Sequence, residues 1–496
     1  MIVQLIVVVF LILFYNCWFK RCGKLNGPMP FPVFGNLPQL CWSGQWDKQF
    51  AYWSKKYDGI YTLWFGLLDT VIIGDYDIAV EVFKNSNASD RGNNRYFNQL
   101  CRDGNYGIVL TSGDLWKEQR KFAMQVLKRF GMGTNVMQER VLNEVADIVN
   151  CLNHDIDLGM KEIDVIRYTE VSVASVIHSV LFGYRFTQVV KTAGTNLINE
   201  FKDNRTEFNY LKELSFNMVA VASETFVSAS IMNSTLAKLP IFRSQLGRFV
   251  KMFRELNDFV DDNIQTHVKE LDEEREPTDF IDAFLLEMKR QEEFGQTNYF
   301  TLKQLRSSLI DMWFAGQETS ASSLGWLFAY LIAHPEIQQK VHDELDYHIG
   351  DQRVITMKDR KQLNYLNAVI LESQRLSNVI VQNALRQLTE DVHIKGRTLR
   401  KGTFVCPQLS AMMRDEKRFL DVNGQLCNTE MMVAFSIGKR ACPGESLAKT
   451  ELFLFAANLL NHFKFEQGAK PIELKRNGGG IATSVKPFTC RIVRRE

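Results

Sequence analysis

One uninterrupted run constrains this chain more than any other stretch. From Leu302 to Ala333 no proline occurs and apolar residues cover most faces. Thr301 reads as an N-cap, Gln304 as its capping-box partner, and Phe300 with Leu305 as a hydrophobic staple. His334-Pro335 ends the run, because the residue before proline disfavours the helical region. Such a helix is about 48 Å long. Being apolar on most faces, it has to be buried through the middle of a large body. A chain of 496 residues that is 46% hydrophobic can supply that body, and its 35 Phe suit an interior that lines an apolar pocket. The centre of the run is out of character: Ala315-Gly316-Gln317-Glu318-Thr319-Ser320. Glycine inside a helix costs about 1 kcal/mol against alanine, and a buried carboxylate costs more unless it is paired. A hydroxyl there can satisfy a freed carbonyl and steady a local bulge, which often marks a functional site. A plain kink with a solvated Glu318 satisfies the same residues.

The second constraint is Phe435-Ser-Ile-Gly-Lys-Arg-Ala-Cys-Pro-Gly444. It places Cys442 in a glycine-bounded loop that opens onto an apolar run, Leu447 to Phe463, read as a helix. Unpaired N–H groups and the positive end of the dipole at a helix start favour a thiolate and lower its pKa. Gly438 and Gly444 permit a sharp path and close approach by a flat group, and Arg440 offers a fixed cation for a carboxylate. A buried structural cysteine is the bland alternative. Upstream, Trp116 and Arg120 are four apart on a helix and share a face. An indole N–H beside a guanidinium can clamp a carboxylate, or the two can simply stack at the surface.

The spacing Phe-x-x-Gly-x-Arg-x-Cys-x-Gly, with Phe435, Gly438, Arg440, Cys442 and Gly444, resembles the haem-binding loop of the cytochrome P450 superfamily. The resemblance extends over essentially the whole chain. It implies a mainly α (α+β) fold, with a long central helix over haem and small β-sheets. It implies protoporphyrin IX iron as cofactor, with Cys442 as its thiolate ligand. Trp116, Arg120, Arg386 and Arg440 would hold the propionates, and Phe435 would shield the sulfur. Ala315-Gly316 would admit the haem face and O2, and Glu318 with Thr319 would deliver protons. Glu372-Ser-Gln-Arg375, a weak signal alone, matches the family's structural acid–base pair. The implied activity is insertion of one oxygen atom from O2 into a lipophilic small molecule such as a fatty acid, steroid or xenobiotic. Electrons would come from NADPH through a flavoprotein reductase, with cytochrome b5 as a further donor. A basic face at Lys117, Lys121, Lys128 and Arg129 suits an acidic donor.

The chain departs from the family between Arg414-Asp415 and Phe435, where a longer meander is usual and no proline occurs between Pro407 and Pro443. Only Arg418-Phe-Leu-Asp421 resembles the element whose arginine joins Glu372 and Arg375. Either Arg418 fills that role after a shortened turn, or the chain is a haem-poor relic. A haem-thiolate enzyme that rearranges peroxides without O2 is the other alternative, and Thr319 speaks against it.

The N-terminus reads as a retained anchor. Ile2 to Phe19 is apolar apart from Gln4 and Asn16. As a helix it reaches roughly 27 Å, about the thickness of an endoplasmic-reticulum bilayer. Lys20, Arg21 and Lys24 follow, which keeps the body cytosolic. A cleaved signal peptide, the alternative, would want a basic start and a small-x-small cleavage site. The expected organisation is an anchor over 1–20, a basic, proline-bearing linker over 21–44 and a haem-binding domain over 45–496. A net charge of +2 gives no argument for nucleic acid, and the nine scattered Cys show no zinc-like spacing and suit a reduced compartment. Elsewhere the pattern predicts a hairpin over Gly59–Phe65 and Thr70–Ile73, a helix over Ile78–Phe83 and a long loop over Asn85–Gly107. Short strands are expected at Ala384–Leu388, Val392–Ile394 and Thr403–Cys406. Val379–Val381 and Ile481-Ala482 are expected near the pocket.

Overall fold

The central helix spans Leu302–Ala333, and Thr301 caps it by accepting from the Gln304 N–H at 3.2 Å. The capping box itself does not close. The Gln304 side chain instead takes both the N–H and the carbonyl of Gly107, at 3.0 and 3.2 Å, on a loop far away in sequence. In this computed structural model the described residues are 2–92, 95–186, 205–295, 299–350, 352–414, 419–477 and 482–495.

Helices Val165–Leu181, Pro240–Glu270, Asn364–Ser377 and Glu445–His462 pack around the central one. Its Trp313, Leu324 and Phe328 join Ile148, Phe284, Phe453 and Phe455 in one continuous core. Gly316 has a packing reason. A Cβ there would lie 3.0 Å from Ile177 Cγ1, so glycine lets the Val165–Leu181 helix come close. The expected bulge is absent. The segment stays α-helical, and the Thr319 hydroxyl donates to the Ala315 carbonyl at 2.7 Å within an intact helix.

The strands form small sheets. Ile60–Phe65 and Leu68–Ile73 make the expected hairpin, extended by a parallel strand, Phe404–Pro407, and then by Arg386–Gln387. Val392–Ile394 pairs with Arg397–Leu399, and Phe463–Gln467 with Cys490–Arg494. Beneath the first sheet Phe83, Val433 and Ile437 share a second core that supports the chain entering the Cys442 loop. The segment expected as a long loop contains a helix, Arg95–Arg102, which buries Phe97 and Cys101. Polar residues masked its period. Val381 is buried in a third, aromatic core with Phe50 and Tyr61, and so is not free to line a pocket. Ile481 lies outside the described residues, while Ala482 bridges Ile380.

The N-terminal helix is Ile2–Cys17, 16 residues rather than the 18 expected, and a 3-10 turn over Phe19–Arg21 follows. At about 24 Å it falls short of a full span, and among the described residues no single helix is long and apolar enough to cross a membrane. Phe328 makes the clearest stability probe: it is fully buried against Phe465, with ring centroids 4.8 Å apart. Phe328→Ala is expected to cost about 3–5 kcal/mol, read as a lower urea midpoint by circular dichroism.

Candidate functional site

The Cys442 loop is held from three sides. The Cys442 N–H donates to the Phe435 carbonyl at 2.8 Å, closing the loop on itself. Arg386 donates to Ser436 Oγ and to the Ile437 carbonyl, both at 2.9 Å. Gly438 sits at φ +76°, where a Cβ would lie 1.7 Å from the Phe83 carbonyl oxygen, so no other residue fits without moving that backbone. Gly444 is different. Its φ is an ordinary −88° as N-cap of the Glu445–His462 helix, and a Cβ there would make only an ordinary contact, 3.9 Å from the Cys442 sulfur, so neither backbone nor packing within the protein requires glycine.

Cys442 keeps solvent contact on one side, although the helix after it is buried along most of its length. Burial nonetheless pushes its thiol above the usual range; the N–H groups of Gly444 and Glu445 and the Arg120 charge oppose this without overcoming it. The expectation of a lowered pKa is therefore corrected for the protein alone. Helix-start donors are present, but desolvation outweighs them. A bound cation of iron's charge would reverse the balance.

Around the loop lie four guanidiniums. Arg440 stacks on Trp116, 3.7 Å from the ring centroid, and donates to the carbonyls of Ser89, Ile108 and Thr111. Arg120 donates to the Ala441 carbonyl at 2.6 Å. Arg386 is 2% exposed and lies over the Phe83 ring at 4.6 Å. The fourth, Arg91, donates to the carbonyls of Val109, Ala384 and Leu385. It was missed from sequence because a lone arginine in a polar loop gives no signal and its partners lie up to 294 positions away. Burial first, then Arg91, Arg120 and Arg386, push Arg440 down to about 8. Arg386 is likewise pushed down to about 9, by burial and then by Arg91. Among the described residues none of the four forms an ion pair, whereas Trp116 Nε1 and Arg386 Nη1 are buried without a partner. Crowded cations and orphaned donors fit a group bearing two carboxylates, and the accessible thiol fits a metal at its centre. Haem is such a group.

The polar turn of the central helix supplies the remaining candidates. Ala315 is exposed, and Gly316 is half-buried with its Cα side against Ile177. Glu318 accepts from Ser215 Oγ at 2.6 Å, and burial raises its pKa. On the next face Ser320 donates to Glu451 Oε2 at 2.6 Å. Glu451, unnoticed in the sequence, is 2% exposed and pushed up to about 8 by burial. The Glu372–Arg375 pair forms a two-bond fork at 2.7 and 2.6 Å, and Arg375 also donates to the Met413 carbonyl at 3.1 Å. Arg418 lies outside the described residues. Beyond it, Phe419 is buried and the Cys427 N–H bonds its carbonyl, closing a short turn.

A mainly helical body carrying an accessible loop cysteine among uncompensated arginines defines a haem-thiolate architecture. The cytochrome P450 family profile matches residues 25–491. Similar proteins include cytochrome P450 2A6 of Homo sapiens, 30% identical over all of this chain and 99% of its own length. Cytochrome P450 2J5 of Mus musculus is 32% identical over 94% of this chain and 91% of its own length. Cytochrome P450 2G1 of Rattus norvegicus is 30% identical over 92% and 90%. The chain belongs to the cytochrome P450 family, and is an oxidoreductase of the haem-thiolate monooxygenase class.

Glu451 yields a test by pH. An unfolded carboxyl titrates near 4.3 and the folded one at about 8. Between these values the folded state binds more protons, so Glu451 lets stability fall as pH rises through that window. Glu451→Gln, which imitates the protonated form, should lose less stability than the wild type from about pH 5 to about pH 8, and the two urea midpoints should converge at the acid end.

Proposed function

We propose that this protein oxygenates a lipophilic small molecule at a haem held by Cys442 and the arginine cluster. Fatty acid, steroid and xenobiotic substrates all fit its apolar interior. The carrying observation is the set of four guanidiniums, with the orphaned Trp116 Nε1 and Arg386 Nη1, beside the accessible Cys442. Bound there, haem supplies the iron chemistry that activates O2 and hands one oxygen atom to the substrate. The chain's own part is to bind, shield and supply protons. Cys442 would hold the iron through its sulfur, and Phe435, whose carbonyl closes the loop, would shield that sulfur. Trp116, Arg91, Arg120, Arg386 and Arg440 bind the carboxylates. Ala315 leaves space on the central helix, Gly316 sets its approach to Ile177, and Gly444 begins the helix that follows Cys442. Glu318, whose pKa burial raises, can give a proton, and the Thr319 hydroxyl is placed one residue along the same turn.

The electron source in this reading is an NADPH-dependent flavoprotein reductase, with cytochrome b5 as a second donor. Lys121, Lys128 and Lys439 are exposed on the helix of Trp116 and in the Cys442 loop itself, a basic surface for an acidic partner. The purified protein should show a carbon monoxide difference band near roughly 450 nm, lost in Cys442→Ala. Thr319→Ala should keep the band and still consume NADPH with reductase, but divert most of it to hydrogen peroxide. A full yield of product from Thr319→Ala would remove the proton-delivery role.

Residues 1–20 form the anchor in this reading, 21–44 the linker and 45–496 the catalytic domain, with the body facing the cytosol at the endoplasmic reticulum. Val7 to Tyr15 are each about half exposed, and Trp18 and Phe19 are 63% exposed, an apolar surface with nothing packed on it. Although short, the helix is continued by this turn. A second apolar patch supports it: Trp42 is 74% and Ile241 63% exposed, and their segments meet through Phe34, which packs on Phe226 and Phe242. Deleting residues 2–20 should lower membrane partition in flotation assays without abolishing it, and adding Trp42→Ser with Ile241→Ser should remove the remainder.

A further inference from the structure

The loop over Gly107–Thr111 has two occupied edges. On one, the N–H groups of Ile108 and Val109 both donate to Asp311 Oδ2, at 2.7 and 2.9 Å. On the other, the carbonyls of the same residues accept from Arg440 Nη1 at 3.3 Å and Arg91 Nε at 2.9 Å. The Thr111 carbonyl takes Arg440 Nη2 at 2.6 Å, and the Thr111 hydroxyl ties back to the Gly107 carbonyl at 2.7 Å. Asp311 is held in turn by Arg102 at 2.6 Å, with the two side chains 5% and 6% exposed. Gly107, at φ +96°, permits this contact, because a Cβ there would lie 2.4 Å from Asp311 Oδ2. Gln304, on the same helix as Asp311, holds both polar groups of Gly107.

We infer that Asp311 is a positioning residue for the carboxylates of the haem, acting on Arg440 through the peptide group between Ile108 and Val109. This rests on the reading that the arginine cluster binds those carboxylates. The physical account is a chain of alternating charge. The buried carboxylate takes the positive ends of two peptide groups. The Ile108–Val109 group turns its negative end, the Ile108 carbonyl, onto Arg440, and the Gly107–Ile108 group turns its own onto Gln304 and Thr111. Arg440 is thereby held in place by neutral acceptors. Its five donors leave N–H groups over for an incoming anion. A carboxylate contacting this arginine directly would have neutralised it and closed the site. At one remove, Asp311 fixes the geometry of Arg440 and leaves its charge unspent.

The test is the rate at which ferric holoprotein gives up haem to excess apomyoglobin, set beside urea midpoints of the same variants. Asp311→Asn keeps the shape and removes the charge, and should lose haem about tenfold faster. Phe328→Leu, a core change further along the same helix, controls for destabilisation and should leave haem loss near the wild-type rate. Gln304→Met releases Gly107 while keeping Asp311 charged, and should accelerate loss about threefold; it stands in if Asp311→Asn does not fold. Arg440→Gln is the reference. If it accelerates haem loss and Asp311→Asn does not exceed Phe328→Leu, the role of Asp311 is overturned while the arginine cluster stands. If Arg440→Gln itself releases haem at the wild-type rate, the cluster reading fails, and this inference fails with it.

Discussion

Four guanidiniums held close together, none in an ion pair among the described residues, repel one another, and the fold has to restrain them. Their restraints are almost entirely main-chain carbonyls: Ser89, Ile108, Thr111, Val109, Ala384, Leu385, Ile437 and Ala441. A carbonyl satisfies an N–H without cancelling the charge, so the protein keeps a concentrated positive field while meeting much of its hydrogen-bonding requirement. These carbonyls come from loops that are hundreds of residues apart in sequence. The hairpin, the buried Phe83 core and the packing of the central helix all serve to bring them to one place.

The central helix carries a comparable arrangement. Residues two apart on its polar turn point to different neighbours: Glu318 to Ser215 of the Arg205–Ala222 helix, Ser320 to Glu451 of the helix that follows Cys442. Burial raises both carboxyls above the ordinary range, and Glu451, at about 8, ties its two helices together as a neutral group at moderate pH. That avoids the cost of a buried charge at Glu451.

What the sequence made legible follows the range of the interactions involved. The central helix, its N-cap, the hairpin and the Cys442 loop are local patterns, and all were readable. So were Trp116, Arg120, Arg386 and Arg440, through a motif rather than through geometry. Arg91, Asp311 and Glu451 were not, because each acquires its role only from groups far away in the chain, and an isolated Arg, Asp or Glu reads as a solvated charge. The capping box failed for a related reason: Gln304 had a tertiary partner, Gly107, that satisfied its amide better than the helix end could. The thiol's raised pKa is the same lesson in electrostatics, since helix-start donors can be counted in a sequence and desolvation cannot.

The contact between Arg375 and the Met413 carbonyl has a consequence for how this part of the chain can vary. A main-chain acceptor is present whatever side chain occupies position 413. The acid–base pair of the Asn364–Ser377 helix is therefore moored to backbone at Met413, and substitution of that side chain leaves the mooring in place.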